Sequence, residues 1–156
     1  MSILESLKED HDKVREILKK ADELLNKYPD VNVEQEKKLM KQLISELEPH
    51  AKAEEKVFYQ ALKKKTVEIL SPYEGKEEHV LVLQVLKALQ KESLEKNQRS
   101  AKIKVLKEMV LHHIQEEEST YFKEARNSFT SDELTTLGEN FIKEKKKITD
   151  SNTYLT

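Results

Sequence analysis

Two segments of this sequence repeat one spacing of metal-ligating side chains: His50 is followed by Glu54, and His113 is followed by Glu117. Residues four apart lie on the same face of an α-helix, with about 5–6 Å between their Cβ atoms. Each pair can therefore direct an imidazole nitrogen and a carboxylate oxygen into one small volume. Such donors, without thiolate, suit iron, manganese or zinc.

A further histidine precedes each of these pairs. His11 lies in the segment Glu9-Asp10-His11, and His79 lies in Glu77-Glu78-His79. Each of the two opens onto a strongly apolar run. The order of a histidine followed by a His-x-x-x-Glu segment is thus given twice, which indicates an internal repeat.

Together these positions provide a complete candidate ligand set for two metal ions. Ionised carboxylates that are buried without partners cost several kcal/mol each, so a metal pair is the simplest compensation. We predict that each ion takes two histidines, one from each helix of a pair, and that two glutamates bridge the ions. The first ion is assigned to His11 and His50, the second to His79 and His113, and the bridges to Glu54 and Glu117.

Other interpretations of these residues compete with the metal site. A single histidine in an apolar stripe is usually a hydrogen-bonded core residue. His112 lies on an alternative stripe, although the repeat favours His113. Glu55 and Glu118 can accept hydrogen bonds from ligand histidines or can be plain surface charges, and the surface interpretation is the favoured one.

An aromatic residue follows each repeated histidine by nine positions. These residues are Tyr59 and Phe122, and Tyr121 lies beside the second of them. We interpret all three as packing residues rather than redox residues.

The composition points to one helical domain. The chain has 156 residues, 37% of them charged, with only 2 glycines and 3 prolines. Abundant Leu, Lys and Glu favour helices. The formal net charge is −2 and no basic face is evident, so nucleic-acid binding is not expected. The lack of cysteine removes thiolate ligands and cysteine nucleophiles from consideration.

Nothing in the sequence indicates a membrane segment. The longest apolar run, Val80 to Val85, is interrupted by Gln84 and is far too short to cross a bilayer. The N-terminus begins an amphipathic helix without an apolar leader. We therefore expect a cytoplasmic protein that does not bind membranes.

Hydrophobic periodicity and capping residues divide the chain into five helices. Pro49 is expected to kink or loosen the second helix, and the apolar side chains of Val80 and Leu81 suggest a third helix buried on more than one side. The segments Ser71–Gly75 and Glu95–Ser100 are predicted to be turns. The predicted helices span about Ile3–Lys27, Asn32–Lys65, a third helix after Gly75, a fourth to Asn127, and a shorter fifth from Thr130 to Lys147.

Long helices with short connections predict an all-α, up-down-up-down four-helix bundle with a short extra C-terminal helix. We expect residues 1–148 to form a single di-metal-binding domain. Residues 149–156 are expected to be a frayed tail.

The motifs resemble those of the hemerythrin-like family of HHE cation-binding domains. The resemblance extends from Ile3 to about Lys147. It implies a four-helix bundle that holds a non-haem di-iron centre used for oxygen binding, for oxygen or nitric-oxide response, for iron sensing or for iron-cluster repair. It is carried by Asp10-His11-Asp12-x-Val14, His50-x-x-x-Glu54-Glu55, Glu78-His79-Val80 and His113-x-x-x-Glu117-Glu118.

Two departures from the oxygen-carrying members affect this comparison. Those proteins have a second histidine where this chain has Leu83, and an aspartate where it has Glu118. The symmetric set of four histidines and two glutamates is more similar to iron-cluster repair proteins and iron-sensing domains. The short cysteine-containing N-terminal module of many repair proteins has no counterpart in this sequence.

The leading hypothesis is a non-haem di-iron protein that binds or responds to dioxygen, nitric oxide or peroxide, or handles iron. Manganese or zinc is an alternative to the two iron ions. One competing hypothesis is a non-catalytic helical interaction module whose metal is structural or lost. Another is a di-metal enzyme of oxidase or peroxidase type, which ranks lower because no base, nucleophile or cofactor loop is evident beyond the ligands.

Overall fold

Side-chain caps fix the beginnings of several helices. The Ser2 hydroxyl accepts hydrogen bonds from the backbone N–H groups of Leu4 and Glu5, at 3.1 and 3.4 Å. Thr130 and Glu133 form the reciprocal capping box expected from the sequence, with distances of 2.9 and 3.1 Å. These caps satisfy N–H groups that lack partners within their own helix.

The computed structural model describes residues 1–91 and 93–153, with 152 and 153 described by their backbone only. All of its regular elements are helical. They are α1 (Ile3–Leu25), α2 (Val33–Glu54), π1 (Glu55–Tyr59), α3 (Gln60–Lys65), α4 (Ser71–Leu89), α5 (Lys96–Glu116), π2 (Glu117–Tyr121), α6 (Phe122–Ser128) and α7 (Ser131–Thr153), where π1 and π2 are single π-helical turns.

Four long rods form the bundle. The first is α1, the second is α2 continued through π1 into α3, the third is α4, and the fourth is α5 continued through π2 into α6. Contacts between α1 and α2, α2 and α4, α4 and α5, and α5 and α1 close a four-sided arrangement. The predicted helical bundle is therefore confirmed. Within the described chain, none of the helices has the length and apolar character needed to cross a bilayer.

Apolar residues form two separate core clusters inside the bundle. One includes Leu18, Leu43, Leu86 and Leu106, and the other includes Phe58, Tyr59, Leu62, Tyr121 and Phe141. On α1, His11 lies between Leu7 of the second cluster and Val14 of the first. The buried polar residues therefore separate the two clusters.

Helix α7 packs along α1 and α2 on the outside of the bundle. It is longer than predicted, because it continues to Thr153 rather than ending at Lys147. Residues 149–153 of the predicted tail thus belong to α7, and 154–156 lie outside the described residues. Phe141 is completely buried and anchors this helix.

Two predicted turns are instead the first turns of helices. Helix α4 already begins at Ser71, since Pro72 lies in the first turn, where its missing N–H group costs nothing. Helix α5 begins at Lys96 with a capping box between Glu95 and Gln98. Polar composition alone did not distinguish these helix starts from loops.

One expectation about helix α4 needs correction. Val80 and Leu81 are 40% and 52% exposed, so the apolar character of α4 does not reflect burial on more than one side. Pro49 lies within α2, which remains helical to Glu54. The irregular turn of this rod is π1, which begins six residues after the proline.

Candidate metal centre

The four rods direct the six predicted metal-ligating side chains into one volume. All six are buried, and the two glutamates are completely inaccessible to solvent. Helix α1 supplies one histidine, α2 a histidine and a glutamate, α4 a histidine, α5 a histidine, and π2 the second glutamate. The residues, in that order, are His11, His50, Glu54, His79, His113 and Glu117.

The Nε2 atoms of the histidines face the two glutamates. Glu54 Oε1 lies 3.7 Å from His50 Nε2 and 3.1 Å from His79 Nε2. Glu117 approaches the other two, with 3.1 Å from Oε1 to His11 Nε2 and 3.5 Å from Oε2 to His113 Nε2. Each carboxylate therefore lies between one histidine from each half of the repeat, as a bridging ligand requires.

Two groups of candidate ligand atoms follow from these contacts, and within each group all atoms lie within 4.8 Å of one another. The first group contains two histidines and both glutamates. The second contains the other two histidines and Glu54. The histidines divide between the groups as His11 with His50 and His79 with His113, the pairing predicted from the sequence.

His112 lies outside this volume. Its side chain is 69% exposed and its Nε2 is 3.2 Å from Glu116, on the surface of α5. The structure thus places the neighbouring His113, and not His112, beside the buried glutamates.

A carboxylate holds the Nδ1 atom of every inward histidine, at 2.8 Å in all four cases. Glu118 accepts from His11, Asp10 from His50, Glu55 from His79 and Glu78 from His113. Such a bond fixes the ring orientation and aims Nε2 at the centre, as in many metal sites.

Sequence reasoning missed part of this outer layer. Glu55 and Glu118 bind histidines, so the favoured interpretation of them as plain surface charges was wrong. Asp10 and Glu78 received no role, although each directly precedes a histidine in the repeat. Asp10 precedes His11 but binds His50, and Glu78 precedes His79 but binds His113. Each contact joins two different helices, so the spacing along one helix does not reveal it.

Burial and mutual repulsion make the two glutamates electrostatically unequal. Burial raises the pKa of Glu54 well above its ordinary value, and the charge of Glu117 adds to the increase. Burial alone would also raise the pKa of Glu117, but contacts with Glu54 and His11 outweigh it and hold that pKa well below the usual range. One of these two carboxyl groups therefore retains its proton more readily than the other.

The pKa values of the histidines shift in different directions within the site. Burial alone would lower the pKa of His11, but Glu117 and Glu118 raise it to about 9. Burial lowers the pKa of His50 to about 4, although Asp10 partly opposes the decrease. Without a metal, the centre holds protons at some of the positions where a cation would bind.

Several buried polar atoms of the centre lack a well-oriented hydrogen bond within the described part of the chain, although some of them lie 3.1 Å from a polar atom of another helix. They are both carboxylate oxygens of Glu54, Oε1 of Glu117 and Nε2 of His11. A buried polar atom without a partner is costly, and four of them converging in one volume is unusual. Inward imidazoles and carboxylates with free lone pairs fit a cation at this position.

The π-helical turns directly follow or include the glutamates. In an α-helix, residues five apart point in different directions, whereas the wider π-turn brings them nearer to one face. As a result Glu54 and Tyr59 both point inward, and so do Glu117 and Phe122.

The aromatic residues of the repeat stack on histidines of the neighbouring rods. Tyr59 stacks on His79 with 5.6 Å between ring centroids, and Phe122 stacks on His11 at 6.4 Å. Tyr59 has a second role, because its hydroxyl donates a 2.6 Å hydrogen bond to Glu117 Oε2. The interpretation of Tyr59 as a packing residue was therefore incomplete.

Gly75 makes room for the ring of Tyr59. A Cβ atom at this position would lie 2.6 Å from Tyr59 Cζ and 2.9 Å from Cε2, which is closer than packed atoms tolerate. The Gly75→Ala substitution is expected to destabilise the protein by about 1–3 kcal/mol through overpacking. Thermal denaturation measures this effect.

Helix propensity alone predicts that Gly75→Ala stabilises the protein. Alanine normally stabilises a helix interior relative to glycine by about 1 kcal/mol. In a Tyr59→Leu background, where the phenol is gone, Gly75→Ala should therefore become neutral or stabilising. A destabilisation that is equal in both backgrounds would contradict this account of Gly75.

A small cavity of about 20 Å³ lies beside the histidines, on the side of the first apolar cluster. Besides the four imidazoles it is lined by aliphatic side chains, including Val82, Leu83 and Val110. A cavity of this size holds about one water molecule or a ligand of similar size. An organic substrate does not fit into it.

The fold and the site define a helical-bundle protein with a buried centre suited to cations. A family model described as the hemerythrin HHE cation-binding domain matches residues 2–125. The chain therefore belongs to the hemerythrin HHE cation-binding family, as the sequence motifs predicted. Comparison with curated proteins and with solved structures found no match.

Proposed function

We propose that this protein holds two iron ions and binds or responds to dioxygen, nitric oxide or peroxide, or handles iron. The proposed ligands of one ion are His11 and His50, those of the other are His79 and His113, and Glu54 and Glu117 bridge both ions. The convergence of these six buried side chains carries the proposal.

The chemistry of the donors supports iron. Four imidazoles and two carboxylates without thiolate suit iron, and manganese or zinc are the alternatives. When bound, an iron pair supplies reversible redox and ligand-binding chemistry that the side chains lack. The chain itself holds the rings in place through four carboxylates, and the Tyr59 hydroxyl keeps its proton directed at Glu117 Oε2.

The cavity supports a small ligand over an organic substrate. Its volume of about 20 Å³ and its aliphatic lining suit a diatomic molecule or peroxide. Leu83 forms part of this lining, at the position where the resemblance to oxygen carriers implies a further histidine. This difference favours sensing, repair or iron handling over simple oxygen transport.

We also propose that the domain includes α7. The family match ends at residue 125, before this helix begins. Packing of α7 against α1 and α2, and the contact of Phe141 with His50 at 5.8 Å between ring centroids, support a single domain that extends past residue 148.

Metal analysis of protein purified without added metal tests the proposal directly. We expect close to two iron ions per chain and an absorption band of ferric ions that disappears on reduction. His112→Ala is the matched control, because this exposed histidine lies next to His113 in the sequence but outside the site. A colourless protein that contains zinc, or one without metal, would contradict the proposal.

A further inference from the structure

The four carboxylates that hold the histidines are not equivalent in charge. Asp10, behind His50, is paired with Lys145, whose Nζ lies 2.8 and 3.0 Å from its two oxygens. Glu118, behind His11, is paired with Arg15 at 2.6 Å. Both carboxylates on this half of the centre therefore have a cation against them.

The other half has no direct ion pair of this kind among the residues that the structure describes, although lysines such as Lys52 and Lys76 line the same surface pocket as Glu55. Across residues 1–91 and 93–153, no lysine or arginine forms an ion pair with Glu55 or Glu78. A carboxylate oxygen of Glu78 lies within 4.8 Å of one from Glu116 and of a ring nitrogen of His112. The carboxylates behind His79 and His113 therefore lack a directly bound lysine or arginine, and their side chains are 25% and 24% exposed to solvent.

This difference changes how strongly each histidine pair attracts a cation. A carboxylate on Nδ1 makes an imidazole a stronger metal ligand by drawing on its proton. A cation on that carboxylate weakens the effect, and it also repels a metal ion through the field of the site. Two cations form direct ion pairs with the carboxylates behind the His11–His50 pair. Among the described residues, no lysine or arginine forms such a pair behind the His79–His113 pair.

Lys145 belongs to α7, which lies outside the matched family segment of residues 2–125. Its position is well defined, because it contacts both oxygens of the buried Asp10 and lies 5.6 Å from the centre of the Phe141 ring. The C-terminal helix thus contributes a positive charge to one half of the centre.

We propose that Lys145 and Arg15 make the two metal positions unequal, so that the His79–His113 position binds the first divalent cation and the His11–His50 position binds the second one more weakly. This inference rests on the proposed di-metal function. It assigns Lys145 and Arg15 a positioning role, since neither contacts the metal and both act through a carboxylate.

Anaerobic calorimetric titration of the metal-free protein with Fe²⁺ tests the order of binding. We expect two steps whose affinities differ by about tenfold or more. His50→Gln should abolish the weaker step and retain the stronger one. His79→Gln should abolish the stronger step, and the reverse assignment would overturn the proposal.

Substitutions that remove the positive charge of Lys145 or Arg15 test whether these charges cause the difference in affinity between the two steps. Lys145→Met should strengthen the weaker step by about tenfold and leave the stronger step unchanged, whereas Lys145→Arg should resemble the wild type. Arg15→Met should act in the same direction. The matched control is Lys146→Met, which removes an exposed charge from the next position on α7.

The possible outcomes separate this inference from the proposed function. Two equal steps, or a weaker second step in both Lys145→Met and Arg15→Met, would overturn the charge asymmetry while retaining the di-metal centre. If the wild type binds fewer than two ions, the proposed function fails, and the inference fails with it. Circular dichroism of each variant establishes that it is folded.

Discussion

Replacing Glu54 with glutamine is expected to stabilise the metal-free protein and to destabilise the metal-bound one. Glu54 is completely buried, and its Oε1 lies 3.1 Å from His79 Nε2 without the geometry of a hydrogen bond. Burial and the charge of Glu117 raise its pKa, so its ionised form opposes folding. An amide of the same shape carries no charge and can donate to Glu117. We expect a gain of about 1–3 kcal/mol without metal.

In the metal-bound protein, Glu54→Gln is expected to decrease the stability. A ligand that binds only the folded state adds about 4 kcal/mol when it is present at about a thousand times its dissociation constant. A bridging glutamate contributes to both metal positions, whereas a neutral amide is a poor bridge. The metal-induced increase in Tm should therefore decrease by roughly half or more in Glu54→Gln, since both positions are weakened.

Thermal denaturation of both proteins, in chelator and with two equivalents of Fe²⁺ under anaerobic conditions, measures the two effects together. The matched control is Glu139→Gln, an exposed glutamate on α7, which should change neither value. A destabilisation of the metal-free protein by Glu54→Gln would show that this carboxylate supports the fold without a cation.

The sequence was sufficient to locate the centre because helical periodicity is a local property. His11, His50 and His113 occupy positions where an apolar stripe requires an inward residue, so their direction follows from spacing alone. Pairing His11 with His50 required only the order of neighbouring rods in a bundle with short connections. For the same reason the family could be recognised before any contact was known.

The outer layer depends on contacts that periodicity does not encode. Asp10 lies next to His11 in the chain but binds His50, because the geometry between α1 and α2 decides which ring it reaches. Lys145 reaches Asp10 because α7 packs along α1 and α2. Where an added helix docks depends on tertiary packing, and no local pattern specified it.

The spacing of apolar residues did not predict the π-helical turns either. A stripe drawn with 3.6 residues per turn cannot place both Glu54 and Tyr59 inward, since they are five apart. The structure resolves this with π1, and it repeats the solution in π2. The recurrence of an aromatic residue nine positions after each histidine was the available signal, and it was interpreted only as packing.

The stabilisation by metal is expected to increase steeply with pH between about 6 and 8. In the metal-free protein Glu117 and Glu118 raise the pKa of His11 to about 9, although burial opposes them, so this imidazole is protonated at neutral pH. Its Nε2 must release that proton before it can bind a cation. For each proton that metal binding releases, the metal affinity increases about tenfold per pH unit while the pH is below the pKa of the group that loses the proton.

The stability of the metal-free protein should change in the opposite direction. A histidine whose pKa is raised on folding stabilises the folded state below its ordinary value of 6.5, and this contribution is lost as the pH increases through about 9. The Tm of the metal-free protein should therefore decrease with pH while the metal affinity increases. The difference in Tm between the metal-bound and the metal-free protein should therefore increase with pH.

Calorimetric titration with Fe²⁺ in buffers of different ionisation enthalpy counts the protons released, and thermal denaturation at pH 6, 7 and 8 measures the widening difference. His112→Ala should leave both measurements unchanged, because this histidine is 69% exposed and lies outside the buried centre, with its Nε2 3.2 Å from Glu116. Glu54→Gln should reduce the number of protons released, since Glu54 retains a proton more readily than an ordinary carboxyl group. An affinity that is constant across this pH range would mean that the cation does not replace the proton on His11, and that it binds elsewhere on the chain.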